Sequence, residues 1–352
     1  MSTEMTDARI PASAQANQGD APKKSNTSSA AAGLERRERR RRLLGQIGVP
    51  VVLVLLVIVF SVIAPNFLTL ANFKTIASDA ALPAIVAIGL TLCLAAGEFD
   101  LSLNGVIGLA TVATAQLLSP MNLITIEAIL IVAVAGLLIG ALNGVLVGYF
   151  GLPALIVTIA VGAILNGGQY VVTNSQQIYG GFPDDLVAFC RGSMGPVPNL
   201  AIIAVAVAAL AWLTLERSTL GRHVRAVGGN PVAARIAGIN TARVKLWVFM
   251  ISAMLATLAG FLFAGKQTTA YPLSGLDVLL PSFAACFIGA AMFKVGEFNV
   301  PGTLVGVAIA TITSNGLILM SVPAYTSFFF QGAILLAAIL FARVVSTKKS
   351  LT

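Results

Sequence analysis

Apolar runs of bilayer length dominate this chain of 352 residues. They fall at 43–64, 80–97, 101–119, 124–149, 152–174, 199–215, 246–266, 278–293, 300–320 and 323–343, each about 17 to 25 residues long, the length a helix needs to cross the hydrocarbon core. Lipid offers no hydrogen bonds to backbone N–H and C=O groups, so such runs fold as helices packed side by side. The expected fold class is all-α, a polytopic transmembrane helix bundle of about ten spans. With 57% hydrophobic and 10% charged residues, against about 25% charged in soluble domains, a water-soluble enzyme is excluded. The 33 glycines carry no Gly-x-y period, and three cysteines cannot build a disulfide framework in a chain of this size. Cys93 and Cys286 lie in apolar runs, which leaves Cys190 as the expected aqueous thiol.

Charge sets the orientation. With the N-terminus in the cytosol and sides alternating, 19 of the 22 Lys and Arg residues face the cytosol, and only Lys74, Arg191 and Lys266 face the other way. Residues 1–42 are poor in large apolar side chains and end in Arg39-Arg40-Arg41-Arg42; they are expected to be a disordered basic cytosolic tail. The first run is too long for a signal-peptide core and reads as an uncleaved span. A membrane domain then covers 43–345, with a long cytosolic loop at 216–245, and 346–352 forms a second cytosolic tail. Two regions fit a plain crossing poorly, 79–120 with its polar interruptions and the short run within 278–299; a broken or re-entrant helix is the other way to read them.

Three patterns concern the spans. Gly136, Gly140, Gly144 and Gly148 place four side-chain-free positions on nearly one face of a helix, so another helix must approach closely there. Ala256, Gly260 and Ala264, and Gly302, Gly306 and Ala310, form weaker rows. Asn104, Asn143, Asn166, Gln169, Asn315 and Gln331 are neutral amides inside spans. They either tie helices together or line a pathway for an uncharged hydroxylated solute such as a sugar or polyol, since proton-coupled carriers usually show buried Asp, Glu or His. Gly97-Glu98-Phe99-Asp100-Leu101 is echoed by Gly296-Glu297-Phe298-Asn299-Val300, an offset of 199 residues; this suits a parallel duplication and equally suits coincidence. Glu98 and Asp100 interrupt an apolar stretch, where Asp100 with Ser102 is expected to cap the following helix. A proton relay is the sharper alternative.

The loop 216–245 carries six cations against one Glu. Within it, Asn230-Pro231-Val232-Ala233-Ala234-Arg235-Ile236-Ala237-Gly238 spells a short helix with an Asn N-cap, Pro in the first turn and Gly just past the end. Val232 and Ile236 share one face, and an aliphatic stripe held out from the bilayer asks for a partner surface. The other reading lays this helix on lipid headgroups. No Gly-x-x-x-x-Gly-Lys-Ser/Thr loop occurs, so the chain does not hydrolyse a nucleotide in the P-loop manner. No metal-ligand spacing is present, and the lone His223 completes no catalytic triad.

From Ser218 to Asn240 the loop resembles that of the permease subunits of bacterial ABC importers for ribose, xylose, inositol and related sugars. Gly97-Glu98-Phe99-Asp100-Leu101-Ser102 is similar to the family's Gly-Gly-Ile-Asp-Leu-Ser element, and Phe67-Leu68-Thr69-Leu70-Ala71-Asn72 to its Phe-Leu-Thr-x-x-Asn segment; the likeness spans about 45–345. It implies two permeases forming the pore, as a homodimer or a paralogous heterodimer. It further implies cytosolic ABC ATPase subunits that bind ATP and Mg, a periplasmic sugar-binding protein, and no cofactor or nucleic acid on this chain. By the same likeness Gly221, Arg222, Gly229, Asn230, Pro231, Val232, Arg235, Ile236 and Gly238 form the ATPase-coupling loop of a bacterial inner-membrane importer. Pathway candidates are Glu98, Asp100, Asn104, Asn143, Asn166, Gln169 and Asn315. Two departures leave the substrate open: Glu98 replaces the motif's second glycine, and Ile288-Gly289-Ala290-Ala291-Met292 stands where a Leu-Gly-Gly-Thr-Ser-like run is usual. A self-sufficient secondary carrier or channel is the alternative from another class, and a membrane-embedded transferase is a third.

Overall fold

The computed structural model describes residues 48–340 except 291, 294, 295, 324, 327, 328, 334, 335 and 337–339. The basic tail, the start of the first run, much of the last run and the C-terminal tail lie outside the described residues. Helix α1 covers Gly48–Ile63, followed by α2 (Leu70–Ala95), α3 (Leu103–Leu118), α4 (Thr125–Gly148) and α5 (Ala154–Thr173). Two-residue strand β1 (Ile178–Tyr179) precedes α6 (Asp184–Arg191), and β2 (Ser193–Met194) pairs with β3 (Val197–Pro198). Then come α7 (Asn199–Arg217), α8 (Thr219–Gly229), α9 (Pro231–Ile236), α10 (Thr241–Gln267), β4 (Thr269–Ala270, antiparallel to β1), α11 (Leu276–Ala290) and α12 (Val300–Leu319). The fold is a polytopic helical bundle. Among the described residues six helices, α2, α4, α5, α7, α10 and α12, are long and apolar enough to span, while α1, α3 and α11 are shorter apolar helices.

Expectation and structure differ where polar residues lie. The second run was expected to begin at 80, yet α2 starts at Leu70, where Thr69 Oγ1 accepts from Asn72 N at 3.2 Å. Its first ten residues carry polar groups that find partners beyond the helix: Lys74 Nζ donates to Gly195 O at 3.0 Å, and Asp79 pairs with Lys266 in the last turn of α10 at 2.7 Å. The third run shortens to the 16 residues of α3 because 98–102 run without helix. Cys190, expected in water, is buried on α6 behind α10: a Cβ built on Gly265 would lie 2.8 Å from its sulfur. Burial pushes this thiol up to about 11, with Arg191 and Lys266 pulling the other way.

Helices α2 and α10 are central, with 67% and 61% of their apolar windows buried, whereas α4, α5 and α7 bury only 28% of theirs and turn apolar faces outward. Between helices in lipid the hydrophobic effect is weak, so close packing and hydrogen bonds must hold them. Each small-residue row meets one partner. A Cβ on Gly140 or Gly144 would come within 2.7 Å of the Cα of Met250 or Leu246, and Gly136 and Gly148 likewise face Thr257 and Ala242, so the whole row lies on α10. Gly260 faces the carbonyl of Ile107 on α3, where Thr111 Oγ1 donates to Gly260 O at 3.1 Å, while Gly302 and Gly306 face Gly289 and Ala285 on α11.

The internal echo is realised in three dimensions. Gly97 and Gly296 both turn with positive φ, +81° and +83°, a conformation that only glycine adopts without cost. Helices α2 and α11 touch at positions 199 residues apart: Ser282 Oγ donates to Pro83 O at 3.1 Å and Cys286 Sγ to Ala87 O at 3.2 Å.

Candidate functional site

The cation-rich loop folds as two capped helices between two spans. Ser218 Oγ accepts from Gly221 N at 3.1 Å to start α8. Asn230 Oδ1 accepts from both Val232 N and Ala233 N at 3.0 Å to start α9, and Asn240 Oδ1 accepts from Arg243 N at 2.9 Å to start α10. Pro231 occupies the first turn of α9, where its missing N–H costs nothing, and Gly238 reverses the chain at φ +84° while its N–H bonds Arg235 O. Each cap satisfies donors that the helix itself cannot.

Side chains divide by face. Val224 and Val227 of α8 and Ala234 of α9 are buried in a cluster with Ile88 and Leu92 of α2 and Leu215 of α7. Val232 and Ile236 point away, 67% and 84% exposed, beside exposed Arg222 and Arg235. An aliphatic pair this exposed on a helix of six residues is not a packing element of this chain. Gly221 is needed because a Cβ would strike the carbonyls of Thr214 and Leu215; Gly229 faces open space, and its neighbour Gly228 is the one pressed onto Ala95 O at the end of α2. Sequence reasoning singled out Gly229 because both glycines look alike in the chain, and only the fold tells which one abuts another helix.

Two ion pairs carry the loop onto the echoed turns. Lys245 Nζ lies 2.5 Å from Glu98 Oε1, and Arg225 pairs with Glu216 and, at 3.2 Å, with Glu297 Oε2. Glu98, expected among the pathway residues, therefore sits against the loop. Arg225, Lys245 and Glu297 were absent from the expected site, and the repeated Gly-Glu-Phe signal was the clue that could have found them.

Beyond Glu98 the chain climbs along α5. Thr158, four residues into α5, accepts from Leu101 N at 3.1 Å, and Gln169, about 22 Å above the start of α5 at 1.5 Å per residue, donates to Gly105 O at 3.3 Å. The same Gln169 accepts from Leu273 N at 2.7 Å, in the irregular segment before α11, and donates to Asn166 Oδ1 at 3.0 Å. The irregular segment before α11 thus meets the first turn of α3 within the bundle, with Gln169 bonding a backbone group of each, while the Thr158 hydroxyl serves the non-helical stretch before α3, as unwound segments in a membrane require. Asn143 Nδ2 donates to Ser102 Oγ at 2.8 Å, which donates to Asp100 Oδ1 at 2.6 Å; Ser102 N donates to the same oxygen at 3.0 Å, a turn that ends ahead of α3, so the expected cap is not formed: Ser102 holds the N-cap position without a side-chain bond to α3, and Asp100 reaches only Ser102. Asn104 Oδ1 accepts from Gly105 N at 2.7 Å. Asp100 Oδ2 and Asn143 Oδ1 are buried without a hydrogen-bond partner among the described residues. Asn315 stands apart, tying α12 to α2 through Asn72 Oδ1 at 2.9 Å.

Residues 72–339 match the family described as branched-chain amino acid transport system / permease component. The L-arabinose transport system permease protein AraH of Escherichia coli (strain K12) is 32% identical over 307 residues, 86% of this chain and 92% of the relative. The ribose import permease protein RbsC of Haemophilus influenzae is 30% identical over 85% of this chain and 93% of its own length. The probable ABC transporter permease protein YphD of Escherichia coli (strain K12) is 32% identical over 88% and 92%. No solved structure matches. With membrane-length helices, a doubly capped loop without a nucleotide site and a match across most of its length, the chain belongs to this permease-component family and is a multi-pass permease subunit of an ABC importer.

Proposed function

We propose that the chain forms half of the translocation pathway of an ATP-driven importer for a sugar or polyol in a bacterial inner membrane, with both termini cytosolic. The observation that carries this reading is the exposed pair Val232 and Ile236, held on a capped helix whose other face is buried against the spans. Cytosolic ABC ATPase subunits, which hold ATP and Mg, dock on that pair. A periplasmic sugar-binding protein delivers the solute, and a second copy or a paralogous permease completes the pore. Sugar as substrate is supported by the relatives named for arabinose and ribose and by the neutral polar interior.

In the mechanism the chain's own work is conformational. ATPase closure displaces α9, and the pairs Lys245–Glu98 and Arg225–Glu297 carry the displacement to the turns at Gly97 and Gly296. Asn104, Asn143, Asn166 and Gln169, together with the carboxyl group of Asp100, line or brace the two unwound segments, where hydroxyl groups of a solute find polar donors and acceptors. The test is the double substitution Val232→Asp and Ile236→Asp in cells carrying the native transporter genes. Uptake of the sugar is expected to vanish, and the ATPase no longer to co-purify, while the permease remains in the membrane. Uptake and association that survive both substitutions would sink the coupling assignment. Solute flux by the purified chain alone in liposomes, driven by a proton or sodium gradient, would establish the secondary carrier instead.

A further inference from the structure

The glycine seam between α4 and α10 covers only half of α4. From Gly136 to Gly148 the two helices are in contact. Toward Thr125 the facing positions on α4 become Ile129, Val132 and Ala133, opposite Met254, Leu258 and Phe261 of α10. Helices held at glycine distance at one end and spread by large side chains at the other diverge, and the wedge between them is walled by Leu186 and Phe189 of α6 and Ile203 of α7. The result is an apolar cavity of about 660 Å³, within the size range of small-molecule sites. Its floor is formed by buried Val132, Leu186 and Leu262, and Ile129 and Phe189 are exposed at its sides.

The cavity lies between spans and has one polar end. It begins about 20 Å along α10 from Thr241 at 1.5 Å per residue, in the half of the bundle away from the 216–245 loop. At its mouth Thr125 Oγ1 bonds the Asp185 carboxylate at 3.4 Å, and the exposed carboxylates of Asp184 and Glu127 stand on the same two helix N-termini. The cations nearby on α6 and α10 are already engaged: Arg191 with Lys266 O and Thr268 Oγ1, and Lys266 with Ser78 O and Asp79. An apolar slot opening between spans is filled by hydrocarbon, because water would find no partners on its walls. A mouth of carboxylates selects a headgroup that presents a cation and disfavours one with net negative charge.

We infer that this groove is a phospholipid site: one acyl chain lies on Val132, Leu186 and Leu262, and the ammonium of a phosphatidylethanolamine-type headgroup sits over Asp185 and Thr125. The lipid comes from the leaflet distal to the 216–245 loop, and the site exists whatever solute the chain carries. The experiment uses the full-length protein purified in mild detergent and exchanged into nanodiscs of phosphatidylethanolamine or phosphatidylglycerol, with retained lipid counted by native mass spectrometry. The wild type is expected to keep one phosphatidylethanolamine per chain in preference to phosphatidylglycerol. Ala133→Trp, which fills the groove, is expected to lose that lipid. Asp185→Lys, an exposed change that leaves the core intact, is expected to reverse the preference. Retention of the same lipid by Ala133→Trp, indifference of the wild type to headgroup, or an unchanged preference in Asp185→Lys would each overturn the site. So would a Phe189→Cys variant that crosslinks efficiently to a neighbouring permease chain, since protein and not lipid would then cover the groove.

Discussion

The turn at Gly97–Asp100 and the turn at Gly296–Asn299 share a sequence, a positive-φ glycine and an ion pair to the same loop, yet they are finished differently. Asn299 is saturated. Its Oδ1 accepts from Gly302 N at 2.8 Å, and its Nδ2 reaches the carbonyls of Glu297, Gly289 and Met292 at 3.0 to 3.4 Å. Asp100 is equally hidden from solvent, but only one of its oxygens is engaged. A buried carboxylate left half-used is costly to keep and can respond to a change around it, whereas a saturated amide can only be broken. The second turn thus fixes geometry, and the first is the one whose bonding leaves room for a change of state.

Substitutions that make the turns alike, or break one alone, test this contrast. The largest effect is expected from Asn299→Leu, which removes the α12 cap, takes their side-chain donor from the carbonyls of Met292 and Glu297, and leaves Gly289 O with the Met292 N–H alone. A loss of about 2–4 kcal/mol follows from cap deletion and unsatisfied buried acceptors, read as a lower melting midpoint of the purified protein. A shift no larger than that of an exposed substitution would show that the amide is dispensable. Next comes Asp100→Asn, which copies the second turn into the first. The amide oxygen still accepts from Ser102, so stability should change by less than about 1 kcal/mol while uptake falls about tenfold or more. Normal uptake in this variant would remove Asp100 from the mechanism.

The ion pairs offer a finer comparison. Glu98 is 13% exposed and Glu297 53%, so Glu98→Gln should cost about 1 kcal/mol and Glu297→Gln less than about 0.5 kcal/mol, the usual limit for a solvated pair. Uptake measured from low to high ionic strength in membrane vesicles checks it. The Glu98→Gln vesicles should be impaired at all salt concentrations, and the Glu297→Gln vesicles should match wild type once salt has screened the exposed pair. Equal losses in both would mean that the two turns are driven symmetrically. The smallest effect is expected at Cys190. Its buried thiol, held up near 11, leaves maleimide labelling of the folded protein slow at pH 7 and fast only after unfolding.

What could be read in the chain was local. The glycine row on α4, the Asn-Pro start of α9 and the span lengths repeat within a few residues, so their physical cause is contained in the segment that shows it. The amides could be recognised as costly, but their partners could not be named: Asn315 bonds a residue 243 positions away and Gln169 one 104 positions away, and no periodicity reports such distances. The early start of α2 was hidden for a related reason. Lys74 and Asp79 look like a loop until Gly195 O and Lys266 are brought to them by the fold. Burial of Cys190 depends on Gly265 lacking a side chain, a fact of pairing and not of the α6 sequence.

Where α8 meets the end of α2, main chain touches main chain beside the buried Val224 and Val227: a Cβ on Gly228 would collide with Ala95 O, and one on Gly97 would lie 3.4 Å from Gly228 Cα. At the two glycines such a joint carries no side chain at all, and Val224 and Val227 around it are buried, so neither valine belongs to the outward surface. Substitutions on the outward surface of α8 and α9 leave the joint untouched, and substitutions deep in the spans leave the outward surface untouched. The two surfaces can therefore change separately, and a chimaera spliced at these two glycines is expected to fold and reach the membrane as either parent does.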